Sequence, residues 1–99
     1  MEKNAYKEKV LKINGKEIII PETLTFSQIL SCEMKGLQIT ELQDKPLLAS
    51  TIIYSVLAKV SLETATEELD CAFKEGLKVT DFINDVLPVY ANFFAQNSN

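Results

Sequence analysis

The 99-residue sequence contains no histidine and no arginine, and its fourteen acidic residues against ten lysines give a net charge of −4. The lack of histidine excludes a His-containing nucleophilic triad and the commonest zinc ligands. Without arginine, an acidic chain lacks the usual means of holding nucleic acid, so no nucleic-acid partner is expected. Since 46% of the residues are apolar and 24% are charged, we expect one soluble folded domain.

The two chain ends are predicted to lie outside the folded domain. Residues 1–8 combine charge with few apolar side chains and lack an apolar signal segment, so a flexible leader is expected. A single α+β domain, an N-terminal β-hairpin packed on a small bundle of about four helices, is predicted over residues 9–95, and the polar residues 96–99 should fray. Because no apolar stretch is long enough to cross a bilayer, no membrane partner is expected.

A β-hairpin is predicted at the start of this domain. Residues 10–13 and 17–20 are rich in β-branched side chains and flank Asn14-Gly15, a dipeptide that tolerates positive φ at both central turn positions. Because Val10 and Ile19 interrupt the alternation, the register stays open. The candidate apolar face, which should pack on helices, consists of Leu11, Ile13, Ile18 and Ile20.

The first helix is predicted from Thr25 to Gly36. Thr25 and Gln28 have the spacing of a capping box, and Gly36 supplies the left-handed residue at the end. Residues 38–45 form a polar connection in which Ile39 and Leu42 are expected to turn inward. The apolar residues at helical spacing within the first helix are Phe26, Ile29, Leu30 and Met34.

Two further helices are predicted in the middle of the chain. Pro46 opens a helix that is apolar around most of its circumference and should therefore be the most buried one. Ser61 is the predicted N-cap of the next helix, and Gly76 ends it. The inward stripe of that helix consists of Leu62, Ala65, Leu69, Ala72 and Phe73.

The last helix is predicted to have Thr80 as its N-cap and to carry an aromatic-rich apolar side. Pro88 removes one hydrogen bond and clashes with the preceding turn, so a kink or a break is expected near residues 84–87.

The apolar side of this last helix admits two interpretations. Its side chains either fill the core, as most aromatic stripes do, or stay partly exposed to bind another apolar helix or a second copy of the chain. Under the second interpretation the candidate partner-binding residues are Phe82, Val86, Tyr90, Phe93 and Phe94.

No residue group points to catalysis or to a cofactor. Cys32 and Cys71 have no histidine to activate them and no metal-ligand spacing, so reduced, packed side chains are expected, with a disulfide bridge or a reactive thiol as the alternative. We therefore predict neither cofactor nor metal and no enzymatic activity. The densest acidic group, which should form a solvated helix face rather than a Ca²⁺ or Mg²⁺ site, consists of Glu63, Glu67, Glu68 and Asp70.

Five features occur in a distinctive order along residues 10–94. They are Ile13-Asn14-Gly15-Lys16 in the hairpin, the helix start at residues 24–30, Lys45-Pro46 before the buried helix, the capped start at residues 61–65, and the break at Gly76. This order resembles that of the small tail assembly chaperones of long-tailed phages and prophages of Gram-positive bacteria.

The resemblance implies a non-enzymatic protein of the bacterial host cytoplasm. Several copies would coat the long, helical tape measure protein and keep it soluble until tail tube subunits displace them. The implied partners are therefore the tape measure protein, further copies of this chain and the tail tube protein. The last helix departs from the family pattern through its additional aromatic residues and Pro88, so no family binding residues are carried over to it.

Two alternatives remain open from the sequence. One is a structural head–tail or neck adaptor protein that is retained in the virion. The other is a small enzyme that uses Asp, Glu, Lys or Cys, which would require an ionisable group titrating far from its ordinary pKa in a deep pocket.

Overall fold

A computed structural model describes residues 9–96 as a two-stranded hairpin followed by five helices. This architecture confirms the predicted α+β class with a helical bundle. The predicted leader at residues 1–8 and residues 97–99 of the predicted tail lie outside the described residues, whereas Gln96 belongs to the last helix. The elements are β1 (Lys9–Ile13), β2 (Lys16–Ile20), α1 (Phe26–Met34), α2 (Glu41–Asp44), α3 (Pro46–Ala58), α4 (Leu62–Lys74) and α5 (Val79–Gln96).

The β1–β2 hairpin adopts the register that buries the predicted apolar face. The strands are antiparallel with Val10 opposite Ile19, and Asn14 and Gly15 have φ values of 53° and 80°, as a two-residue turn with positive φ at both positions requires. The Val10–Ile19 pair consequently lies on the outer, exposed side of the hairpin. The buried side is formed by Leu11, Ile13, Ile18 and Ile20.

Helix α3 is the centre of the domain, as its apolar circumference predicts. It contacts β2 and each of the helices α1, α2, α4 and α5. A helix that is apolar on nearly all sides is stable in water only when other elements cover those sides. Its buried residues are Ala49, Ser50, Ile52, Ile53, Tyr54 and Ser55.

The predicted caps of α1 and α4 are both present. Thr25 Oγ1 accepts a hydrogen bond from the Gln28 amide at 3.2 Å, and Gln28 Oε1 accepts one from the Thr25 amide at 2.9 Å. Ser61 Oγ accepts from the Thr64 amide at 3.1 Å. These bonds satisfy amide groups that have no partner within the helices themselves.

Helices α1, α3 and α4 end in the same left-handed turn. In each, the amide that follows the turn donates to the carbonyl five residues earlier at 3.0 Å. Gly36 after α1 and Gly76 after α4 hold φ values of 104° and 119°, but Lys59 after α3 holds φ at 61°. A side chain in this conformation costs free energy that glycine does not incur, so the end of α3 is the most strained of the three.

The first turn of α5 differs from the prediction. The helix begins at Val79, and the Phe82 amide donates to the Lys78 carbonyl at 3.0 Å. This bond closes a helical turn that already contains Thr80, so the prediction of Thr80 as the N-cap is wrong.

Helix α5 also continues through Pro88 without the break that was one of the two expected outcomes. Pro88 lies on the exposed side of the helix, while Val86 and Val89 are buried on either side of it. The Leu24 amide also donates to the Val89 carbonyl at 3.1 Å. Packing and this tertiary bond hold the two halves in place and offset the hydrogen bond that proline cannot make.

The connection between α1 and α3 contains one helical turn, α2. Leu42 packs against the core from this turn, as expected, but Ile39 is exposed, so its predicted inward position is wrong. Ile39 lies before α2, in the connection from α1, and its side chain is about half exposed.

Lys59→Gly is expected to stabilise the protein, because glycine adopts the left-handed conformation at the end of α3 without the steric cost of a side chain. The free energy of unfolding in urea should rise by about 0.5–1 kcal/mol. The control Lys74→Gly, within right-handed α4, should lower the free energy of unfolding by about 1 kcal/mol. A Lys59→Gly variant less stable than the wild type contradicts the prediction.

Candidate partner-binding surface

Three of the five candidate partner-binding residues lie inside the core. Phe82, Val86 and Tyr90 have no exposed surface, so a partner could reach them only if α5 moved. Phe93 and Phe94 are half-buried near the end of the same helix. Of the predicted set, only these last two are accessible in this structure.

Aromatic packing explains why the first part of α5 is buried. The Phe82 ring packs edge-on against Phe73 of α4 and Tyr54 of α3, with centroid separations of 5.7 Å and 6.2 Å. Tyr90 and Phe94 have ring centroids 5.4 Å apart. At Phe82 and Tyr90 the side chains therefore fill the core, as the first of the two interpretations expects.

The outer face of α1 carries an exposed apolar stripe. Phe26, Leu30 and Met34 are spaced four residues apart and are 65%, 43% and 81% exposed. Residues at this spacing lie on one side of a helix. The stripe is continuous with α5, because the ring centroids of Phe26 and Phe93 are 6.5 Å apart. We call these four residues the α1–α5 surface.

The sequence pattern groups Phe26, Ile29, Leu30 and Met34 at helical spacing, which does not separate the residues that face the core from those that face solvent. The residues that face the core are Ile29 and Cys32. The pattern does contain a signal: Glu33 is the single charged residue of α1, so both sides of the helix carry apolar or small side chains. A short helix with two such sides cannot bury both against one core.

The other large apolar residues exposed on the described surface occur singly or in pairs. Val10 and Ile19 form the outer pair on the hairpin. Leu47 of α3 lines an open groove of about 220 Å³, which Leu69 and Phe73 of α4 also line. Neither place combines three large exposed side chains on one element, as α1 does.

One of the acidic residues predicted to face water instead links three elements. Glu68 of α4 accepts a hydrogen bond from the Tyr54 hydroxyl of α3 and from the Lys16 ammonium of the hairpin, both at 2.7 Å. These two hydrogen bonds lower the pKa of Glu68 below its ordinary value of 4.5, and the bond from Lys16 has the larger effect. The exposed positions predicted for the rest of the group are confirmed for Glu63, Glu67 and Asp70.

Two buried hydroxyl groups have no hydrogen-bond partner among residues 9–96, those of Ser50 and Tyr90. Burial, followed in effect by the negative charge of Glu33, raises the pKa of Tyr90 to about 12. Tyr54 is the contrasting case, because its hydroxyl donates to Glu68. Burial and that hydrogen bond also raise the pKa of Tyr54.

The two cysteines are both free thiols, but only one is packed as predicted. Cys32 is fully buried, and burial raises the pKa of its thiol to about 11, which disfavours the reactive thiolate. Cys71 is exposed on α4, so its predicted packing is wrong. No group of three or more His, Cys, Asp or Glu residues within positions 9–96 could hold a metal ion.

In comparisons with known proteins, no family model, curated protein or solved structure matches this chain. Within the described part of the chain, no single helix is long and apolar enough to span a membrane. Helices α3 and α4 meet the length and composition required for a span only together, as a pair bent by 105°.

Tyr54→Phe and Tyr90→Phe are expected to have different effects on the free energy of unfolding. Loss of the Tyr54 hydroxyl removes a buried partner of a charged carboxylate and should lower the free energy of unfolding by about 1–3 kcal/mol. Loss of the unpartnered Tyr90 hydroxyl should leave it unchanged or raise it by up to about 1 kcal/mol. Chemical denaturation of both variants measures the difference. Equal destabilisation by the two changes would contradict the assignment of hydrogen bonds.

Glu68→Gln is expected to reduce the acid sensitivity of the fold. Since the pKa of Glu68 is lowered in the folded state, its contribution is present above the unfolded-state value and is lost as pH falls through the folded-state value. The variant should be less stable than the wild type at pH 7, and the difference should shrink in acid. Urea denaturation between pH 7 and pH 3 tests this expectation. Glu67→Gln, at an exposed neighbouring position, is the control and should be about as stable as the wild type at pH 7.

Proposed function

We infer that this chain is a phage tail assembly chaperone that binds the tape measure protein and keeps it soluble during tail assembly. The proposal combines the resemblance along residues 10–94 with one structural observation, the α1–α5 surface. That surface has three large side chains on one side of α1, and two of them, Phe26 and Met34, are more than half exposed. A contiguous exposed apolar patch of this kind is typical of a contact site.

The α1–α5 surface suits an apolar helix as its partner. Side chains four residues apart form a ridge that fits the groove between side chains of a second helix. Met34 is unbranched and adapts to different neighbours, and the Phe26 and Phe93 rings add large apolar area. Such binding rests on burial and dispersion alone, so later subunits can displace the chaperone without any covalent step.

The acidic surface supports the same role. A net charge of −4 opposes aggregation of several copies on one long partner. The proposal places these events in the cytoplasm of the bacterial host, includes association between copies, and makes the tail tube protein the competitor that ends the interaction. It requires no catalytic group.

A structural head–tail or neck adaptor would use the same apolar surface for a permanent contact. Mass spectrometry of purified virions separates the two roles, because an assembly chaperone should be absent from the finished particle and an adaptor should be present. Detection of the chain in stoichiometric amounts would favour the adaptor.

Met34→Lys is expected to impair capture of the tape measure protein encoded by the same phage. The substitution places a charge in the α1–α5 surface yet suits the C-terminal turn of a helix, so the fold should be retained. In a co-expression pull-down the retained tape measure protein should fall by about tenfold or more. Thermal unfolding of the variant checks the fold.

Ile19→Lys is the matched control, since it introduces the same charge at an exposed apolar position on the hairpin. It should retain the tape measure protein as the wild type does. A tape measure protein that is equally soluble alone and is not retained by the wild-type chain would contradict the proposed function. Equal loss in both variants would contradict the assignment of the surface.

A further inference from the structure

A positively charged groove lies on this acidic protein where α1 and α3 end and α4 begins. Its volume is about 420 Å³. The lining contains Lys35, Lys59, Ser31 and Ser61 and, among the described residues, no aspartate or glutamate. Two cations without an acidic neighbour in the lining make this groove different in charge from the chain as a whole, whose net charge is −4.

Lys35 follows α1, and its ammonium group is held in place at the end of α3. Its ammonium donates to the Val60 carbonyl at 2.9 Å and to Ser55 Oγ at 3.0 Å. Because an ammonium has three N–H groups, one donor remains for a ligand. A positioned donor binds a ligand at a lower entropic cost than a mobile lysine does.

Lys59 occupies a position that favours glycine. At the equivalent turns after α1 and α4 the chain has Gly36 and Gly76, whereas Lys59 adopts the left-handed conformation with its side chain in the groove lining. Its ammonium forms no ion pair with any residue in the range 9–96. The charge of Lys59 is therefore not neutralised by the described part of the chain.

The serines add neutral donors to the two cations. Ser61 Oγ accepts from the Thr64 amide, which leaves the hydroxyl proton free to donate into the groove. Ser31 is one helical turn before Lys35, on the same side of α1. Ammonium and hydroxyl donors thus come from α1, from the turn after α3 and from the cap of α4.

We propose that this groove binds a small oxyanion of the phosphate class. Donors from three segments match the several acceptor oxygens of a phosphate better than the two of a carboxylate. The two ammonium groups supply the attraction, and the first amides of α4 are a weaker addition. This proposal does not depend on the proposed chaperone function, because it concerns another part of the molecule.

The test is a titration of the ¹⁵N-labelled chain with sodium phosphate, followed by NMR and compared with sodium chloride at equal ionic strength. Phosphate should produce saturable shifts of the amides of Lys59, Val60 and Ser61, whereas chloride should not. An acetate titration separates phosphate from carboxylate recognition: weaker binding of acetate supports the proposal, and equal or tighter binding contradicts its phosphate preference.

Lys59 variants test whether the charge of this side chain contributes to phosphate binding. Lys59→Gln should weaken phosphate binding by about three- to fivefold, and Lys59→Gly, which suits the left-handed turn, should weaken it equally. Lys12→Gln, which removes the same charge from the hairpin, is the control and should bind phosphate as the wild type does. Shifts that do not saturate, or equal weakening by Lys59→Gln and Lys12→Gln, would overturn the proposal.

Discussion

The structure depends on the burial of α3 on nearly all of its sides. A domain of this size can form only one core, and α3 provides the common surface on which β2 and the other four helices pack. The hairpin, which would be marginal alone, is stable because its apolar side faces this core. At the edge of this core, Glu68 connects Tyr54 of α3 with Lys16 of β2, so a polar contact fixes the arrangement that apolar burial favours.

The same constraint accounts for the exposed surface of α1. One side of this nine-residue helix is used against the core through Ile29 and Cys32, whereas the opposite side is contacted by the Phe93 ring of α5 near Phe26 and otherwise stays largely exposed. Phe26 and Met34 therefore remain more than half exposed. In a protein that acts alone such a stripe would favour aggregation; in a protein that coats an apolar partner it is the binding site. The proposed function therefore depends on whether a partner covers this stripe.

Local chemistry predicted much of the fold but little of the candidate site. The Asn14-Gly15 turn and the Thr25 and Ser61 caps depend on neighbouring residues, so sequence spacing was sufficient to find them. The side of α1 that faces inward depends on how α3 and α5 surround it, which no local pattern specifies. The position of Glu68 likewise depends on residues 14 and 52 positions away in the chain. Burial along α5 also depends on residues distant in the chain, so the sequence could not distinguish the buried part of this helix from its accessible end.

Methyl NMR of Met34 tests the central claim most directly. The chain contains two methionines, Met1 and Met34, so ¹³C-methyl labelling of methionine places one probe within the α1–α5 surface and one at the N-terminus. On addition of the tape measure protein, the account predicts a marked shift or broadening of the Met34 signal. An unchanged Met34 signal in a sample where the tape measure protein is demonstrably bound would contradict it.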